Sequence, residues 1–178
     1  MKTRKEIVAR LLDSKKWLEI YRPEFLGQLN HIADDFFRKK TLEGYIASIL
    51  IYHQITEEMI KALINISTFY IQSSYLDLEY KSKELDGKMF GQLIGELDGC
   101  LKMDGTNEFI QKCKEINYIR IKIVHKITKK PNVKEIGKVC NKSKKIFDKI
   151  YSLFDSIYDN WRVSLKDVKK DYECDNDS

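Results

Sequence analysis

The sequence predicts an all-α protein, an antiparallel helical bundle of five to six helices. The chain of 178 residues contains only 8 Gly and 2 Pro, which is little turn-forming material for a sheet of many strands. Its apolar residues recur at the three- and four-residue spacing of amphipathic helices. Short polar segments separate these periodic stretches, and short loops place consecutive helices antiparallel to one another.

The first three helices are predicted in the N-terminal half of the chain. Helical spacing extends over residues 3–21, and Pro23 suits the first turn of a second helix that ends near residue 39. Thr41 can cap a long third helix that ends near residue 72. The polar segment 73–88 shows the least regular pattern in the chain.

Three further helices are predicted in the C-terminal half. A short one covers about residues 88–101, and Asp104-Gly105 then forms a turn. Thr106 or Asn107 caps the next helix, which ends near residue 129 before Pro131. The last helix begins at residue 132 and ends near residue 168, and the acidic tail 173–178 is predicted to be frayed.

Cysteine and histidine usage argues against a structural metal site. The 4 cysteines and 3 histidines are scattered, whereas zinc sites need clustered ligands. No cofactor or metal is therefore expected, and free thiols suit a reducing compartment. The N-terminus has no apolar signal core and no stretch is long enough to span a membrane, so a cytoplasmic protein is expected. The cysteines are Cys100, Cys113, Cys140 and Cys174.

Positive charge is concentrated in one part of the chain. The formal net charge is +5, but residues 110–150 hold 13 Lys and Arg against three acidic residues, a net +10 that leaves −5 for the remainder. A concentrated basic region is typical of proteins that bind polyanions such as nucleic acids. A solvated, lysine-rich helix face is the alternative explanation.

The helix predicted over residues 106–129 has an arginine within its apolar face. At 100° per residue, the apolar residues share an arc roughly 140° wide and Arg120 falls near its middle. A buried guanidinium needs a carboxylate, a phosphate or a second protomer, because an unpaired charge is costly to desolvate. His125 lies on a second face with Asn117, Tyr118 and Ile121, which a partner chain could cover. The apolar arc consists of Ile116, Ile119, Ile123, Val124 and Ile127.

The long third helix also has polar residues within its apolar arc. His53 and Glu57 are one turn apart and fall on this arc, so they can contact each other. Glu57 is therefore predicted to be half-buried and to pair with Arg120, in a network with a structural or a functional role. For His53 the sequence favours a satisfied core residue. The apolar arc consists of Tyr45, Ile46, Ile49, Leu50, Ile60, Leu63 and Ile64.

Two segments resemble motifs of the HEPN superfamily (higher eukaryotes and prokaryotes nucleotide-binding domains). Residues 119–127, IRIKIVHKI, contain Arg120 and His125 at the R-x4-H spacing, on the helix before the last, as in the family's R-x4-6-H motif. Residues 52–64, YHQITEEMIKALI, are similar to an early helix of the family whose acidic residue lies near the motif arginine. The matching positions there are Gln54, Glu57, Lys61, Ala62 and Leu63.

The resemblance also implies how the chain is organised. It covers residues 42–154, which would form the HEPN-like core, and residues 1–40 would be an N-terminal helical addition. The two parts would form a single domain over residues 1–172, followed by the acidic tail at 173–178.

The resemblance implies a metal-independent endoribonuclease of the kind found among toxins and antiviral defence effectors. In such proteins two protomers bring their motifs together, and the 2′-OH of RNA attacks the adjacent phosphate. Arg120 would then bind the phosphate and stabilise the transition state, and His125 would transfer protons. Glu57 and Tyr118 would support the site, Tyr118 by stacking on a base. Flanking phosphates would be held by Lys122, Lys126 and Lys129.

Other functions are open at this stage. Active HEPN members usually have Asn, Asp or His directly after the motif arginine, and this chain has Ile121. A catalytically silent HEPN domain that binds nucleic acid, dimerises or assists a nucleotidyltransferase is therefore the second interpretation. A helical adaptor whose basic region binds an acidic protein is the third. The expected partners are RNA and a second copy of the chain, with an antitoxin or a nucleotidyltransferase as further candidates.

Overall fold

The fold is all-helical throughout the described part of the chain. The structure, a computed structural model, describes residues 3–15, 17, 25–76, 80, 84–127 and 132–176. These residues contain no strand, and none of their helices has an apolar stretch of the length that spanning a bilayer requires. The helices are α1 (Arg4–Leu12), α2 (Phe25–Arg38), α3 (Leu42–Ser74), α4 (Phe90–Cys100), α5 (Thr106–Ile127) and α6 (Val133–Asn176).

Helix α3 is the centre of the bundle. It packs against each of the other five helices, so apolar residues around most of its circumference are buried. Leu50, which periodicity assigns to the core, is instead among the exposed apolar residues. The fully buried large side chains of α3 are Ile49, Tyr52, Ile55, Met59, Ile60, Leu63, Ile66 and Phe69.

The first helix is shorter than the sequence pattern predicts. α1 ends at Leu12, and Asp13 leaves the helical region with φ −96° and ψ 86°. Trp17 is buried beyond this end, and its indole Nε1 donates a hydrogen bond to the carbonyl of Arg10 at 2.9 Å. The hydroxyl of Tyr158 donates in turn to the carbonyl of Trp17 at 3.1 Å. The prediction of one helix over residues 3–21 was therefore wrong, because the chain turns to bury the indole.

The turn between α2 and α3 is tight. The Thr41 hydroxyl accepts a hydrogen bond from the Gly44 backbone N–H at 3.1 Å, which confirms the predicted cap. A Cβ atom added at Gly44 would lie 2.4 Å from the Phe36 carbonyl oxygen, so only glycine allows the two helices to approach this closely. Phe36 belongs to α2, and the contact therefore fixes α2 against the start of the central helix.

The last helix is longer than predicted. α6 continues to Asn176, so the predicted end near residue 168 was wrong and residues 173–176 of the acidic tail are helical. Val168 and Tyr172 pack against the core. Lys169 donates a hydrogen bond to the carbonyl of Leu12 at 2.7 Å and pairs with Glu173 at 3.6 Å. These contacts join the end of α6 to the end of α1.

A polar cluster joins α2, α3 and α6 on one side of the bundle. The Tyr52 hydroxyl donates to Asp34 Oδ1 at 2.6 Å, and Lys144 Nζ lies 2.9 Å from the same oxygen. Burial alone would raise the pKa of the Asp34 carboxyl group, but the bonds from Tyr52 and Lys144 hold that pKa below its ordinary value. Burial and the nearby carboxylate raise the pKa of Tyr52 far above its ordinary value, so its hydroxyl stays a donor.

The cluster yields a prediction on stability. Replacing Tyr52 with Phe should lower the free energy of unfolding by about 1–3 kcal/mol, because Asp34 loses a charge-assisted hydrogen bond. Tyr75→Phe removes an exposed hydroxyl and should change the stability by less than about 0.5 kcal/mol. Urea denaturation followed by circular dichroism measures both effects. Equal effects of the two substitutions would contradict a structural role for the cluster.

Candidate functional site

A cleft opens where the first turn of α4 meets α3 and α5. Its volume is about 590 Å³, which lies within the range of small-molecule sites. The buried side of the cleft is formed by His53 and Phe90, and the other walls combine apolar and polar side chains. The lining residues are His53, Glu57, Lys88, Met89, Phe90, Gly91, Gln92, Asn117, Arg120 and Ile121.

His53 is a buried, neutral imidazole at the cleft. It is 8% exposed, its ring lies 4.2 Å from the Phe90 ring, and its Nε2 donates to Asn117 Oδ1 at 3.1 Å. Burial lowers the pKa of His53, and the charge of Arg120 adds to that effect, whereas the bond to Asn117 and the charge of Glu57 oppose it. The prediction that His53 is a satisfied core residue is confirmed.

Arg120 is the one charged residue of the cleft that has no ion pair within the described part of the chain. Glu57 pairs with Lys61 at 3.2 Å, and Lys88 pairs with Glu96 at 2.6 Å. The Glu57 side chain is 20% exposed, which confirms that it is half-buried. The predicted pair between Glu57 and Arg120 was wrong, since Glu57 instead pairs with Lys61, which also pairs with Glu58 at 2.9 Å. Both residues nevertheless line the cleft.

Arg120 is exposed rather than buried, which corrects the prediction from periodicity. Ile116, Ile119 and Ile123 are buried as predicted, but Val124 is 40% exposed and Arg120 is also exposed. The physical reason is the short length of α4, which has only 11 residues. Since α4 begins at the cleft, it leaves one side of the last turns of α5 uncovered. The guanidinium group therefore reaches solvent at the cleft.

Most of the second face of α5, which the sequence analysis assigned to contact with a partner chain, is exposed in the single chain. Tyr118 is 64% and Ile121 41% exposed, and His125 is exposed as well. Lys122 Nζ lies 5.7 Å from the centre of the Tyr118 ring. In a regular helix His125 lies about 140° around the axis and about 7.5 Å along it from Arg120. Val124 and Ile121 fall between them, so the two motif residues border one continuous surface.

The remaining predicted binding residues are only partly described. The backbone of Lys126 belongs to α5, whereas its side chain and the whole of Lys129 lie outside the described part of the structure. Lys122 is exposed. In the described ranges, no three His, Cys, Asp or Glu side chains are grouped as metal ligands would be.

The sequence analysis missed the part of the cleft that comes from α4. Periodicity shows that a helix has a buried face but not which helix it packs against. The packing of the Phe90 ring against His53 and the place of Gln92 in the cleft lining therefore could not be anticipated. The sequence did contain one indication of where α4 starts, because the Asp86-Gly87 turn comes just before it.

Comparisons with protein-family models, with curated proteins and with solved structures found no match for the chain. The fold and the cleft therefore describe the protein at the level of a class. It is an all-α helical bundle in which Arg120, without an ion pair among the described residues, shares a cleft with the buried imidazole of His53.

The charges around His53 yield a prediction that nuclear magnetic resonance can test. Arg120→Gln should raise the pKa of His53, because a nearby cation disfavours the imidazolium form. Glu57→Gln should lower the same pKa, because a nearby anion favours that form. Lys88→Gln is the matched control and should have a smaller effect, since Glu96 neutralises Lys88. Shifts of the same sign in the first two variants would contradict the described geometry.

Proposed function

We propose that the protein is a metal-independent endoribonuclease in which Arg120 binds the scissile phosphate. The observation that carries the proposal is the guanidinium of Arg120, which is exposed at a cleft and has no carboxylate partner among the described residues. A guanidinium offers a fixed charge and a fork of donors that matches phosphate oxygens. The resemblance of residues 52–64 and 119–127 to HEPN motifs supports the same assignment.

The proposed reaction uses a nucleophile supplied by the RNA. His125 accepts the proton of the ribose 2′-OH, and the 2′-oxygen forms a bond to the adjacent phosphorus. The bond from phosphorus to the 5′-oxygen breaks, and that oxygen takes up a proton. The products are a 2′,3′-cyclic phosphate and a 5′-hydroxyl end. Arg120 stabilises the charge on the phosphorane, and His125 is suited to move the protons because it is exposed on the same helix.

The proposal includes a homodimer. Ile121 and Val124 leave apolar surface exposed between Arg120 and His125. A second copy of the chain would cover this surface and bring a second pair of motif residues to it.

Two further groups of side chains would assist RNA binding. Tyr118 would stack on a base, and Lys122, beside its ring, would hold a flanking phosphate. The proposal assigns the same phosphate-binding role to Lys126 and Lys129. Glu57 would act indirectly, through Lys61 and through its charge near His53.

Ile121 favours a second candidate function, a silent domain that binds RNA without cutting it. It follows Arg120 directly, lines the cleft and is apolar, so it offers no hydrogen bond to orient the guanidinium or a phosphate. In this alternative the exposed face of α5 serves dimerisation or a partner such as a nucleotidyltransferase.

The nuclease proposal predicts cleavage of RNA in the presence of EDTA. His125→Ala and Arg120→Ala should each reduce the rate at least about 100-fold, since proton transfer and electrostatic stabilisation each contribute about this much or more. His31→Ala is the control, because His31 is exposed on α2 and does not line the cleft. Gel analysis of a labelled single-stranded RNA measures the rates and the cyclic phosphate ends.

The outcomes separate the two candidates. Cleavage that survives in both motif variants would show a contaminating nuclease. RNA binding without cleavage by the wild-type protein would overturn the nuclease proposal and select the silent domain. If the Ile121→Asn variant cleaves RNA and the wild-type protein does not, the wild-type protein lacks only the polar side chain after Arg120.

The homodimer yields a separate prediction. Light scattering at micromolar concentration should give the mass of two chains, and Ile121→Glu should give the mass of one, because it places a charge in the proposed interface. Lys114→Glu, on an exposed position of the same helix, is the control and should leave the dimer intact. A monomeric wild-type protein would argue strongly against the composite site.

A further inference from the structure

The N-terminal half of α6 presents a column of lysines to solvent. They recur every three or four residues, so they occupy one face of the helix and extend about 22 Å along its axis. All five are exposed, and the buried residues of this helix lie on its opposite side. We call this surface the lysine stripe, and it consists of Lys134, Lys138, Lys142, Lys145 and Lys149.

Most of the stripe is not neutralised by the protein itself. Lys149 pairs with Glu108 at 3.3 Å, but the other four lysines have no ion pair within the described residues. Asp148 lies to one side and contacts Lys144 at 3.2 Å, and Glu135 lies to the other side. Four adjacent cations without counter-charges produce a strong local positive potential.

The stripe begins at the same height along the bundle as the proposed nuclease motif. Glu108 contacts Lys149, and Gly105, just before α5, lies against Leu153 and Ile157. Residues earlier in α5 therefore meet residues later in α6, so the two helices are antiparallel. Arg120 is then level with about residue 137 and His125 with about residue 132. Lys134 and Lys138 therefore lie at the height of the motif, and the stripe leads away from it along the bundle.

We infer that the lysine stripe binds the phosphate backbone of single-stranded RNA and guides the strand to the Arg120 and His125 surface. The inference rests on the proposed function for the identity of the ligand, but binding can be measured without cleavage. A positively charged row that tracks the phosphate backbone is how proteins hold a single strand without reading its sequence. A lipid surface is disfavoured, because the apolar face of α6 is packed in the core and cannot enter a membrane.

A charge-matched pair of variants tests the inference. In the stripe variant, glutamine replaces Lys134, Lys138, Lys142 and Lys145. In the control variant, glutamine replaces four exposed lysines elsewhere, which are Lys5, Lys102, Lys166 and Lys170. Both variants lose four positive charges, so a difference between them reports the position of the charges rather than their number. Thermal unfolding followed by circular dichroism checks that both variants fold.

Fluorescence anisotropy with a labelled polyuridylate, over a series of salt concentrations, measures binding. The stripe variant should bind at least about tenfold more weakly at low salt. The slope of log K against log salt should fall in magnitude by about 3, at about 0.7 for each lost phosphate contact. The control variant should keep both values close to those of the wild-type protein.

Each outcome of the binding experiment either supports or contradicts the inference. The inference would be overturned if the two variants lost RNA affinity equally, or if the stripe variant bound RNA as tightly as the wild-type protein. Wild-type binding to phosphatidylserine vesicles but not to polyuridylate would overturn it in favour of a membrane surface. If the wild-type protein binds RNA but never cuts it, and the stripe variant binds weakly, the stripe is supported while the nuclease proposal fails.

Discussion

The bundle depends on the burial of α3, because this helix contacts all five others and its polar groups therefore need partners inside the protein. Three of its buried hydroxyl groups find them within the helix. Ser48, Thr56 and Ser67 each donate to the carbonyl four residues earlier, at 2.8 Å. Thr56 and Ser67 are thereby satisfied within α3, whereas the Ser48 hydroxyl also lies 2.9 Å from the carbonyl oxygen of Ala33 in α2.

Tyr52 and His53 cannot be satisfied within α3, and each is bonded to another helix. The Tyr52 hydroxyl is held by Asp34 of α2, and His53 is held by Asn117 of α5. Adjacent residues of a helix point about 100° apart, so these two bonds lie on different sides of the bundle. Tyr52 therefore belongs to a structural cluster, whereas its neighbour His53 forms part of the cleft.

The helices and their polar faces could be predicted from the sequence. Which part of one helix packs against the end of another could not. The bounds of the middle helices were predicted within about two residues, because Thr41 and the Asp104-Gly105 turn are local signals. The exposure of Arg120 was not predictable, because it depends on where a neighbouring helix begins. Its supposed pairing failed for a related reason, since periodicity does not rank Lys61 above a residue from another helix as the partner of Glu57.

Two histidines flank Arg120, and their surroundings assign them different roles. A general acid or base must exchange protons with substrate and solvent, which requires an accessible imidazole. His53 is buried, has one nitrogen committed to Asn117 and has a lowered pKa, so it is a neutral support for the cleft wall. His125 is exposed on the same helix as Arg120. If this surface performs proton transfer, burial alone therefore selects His125 over His53.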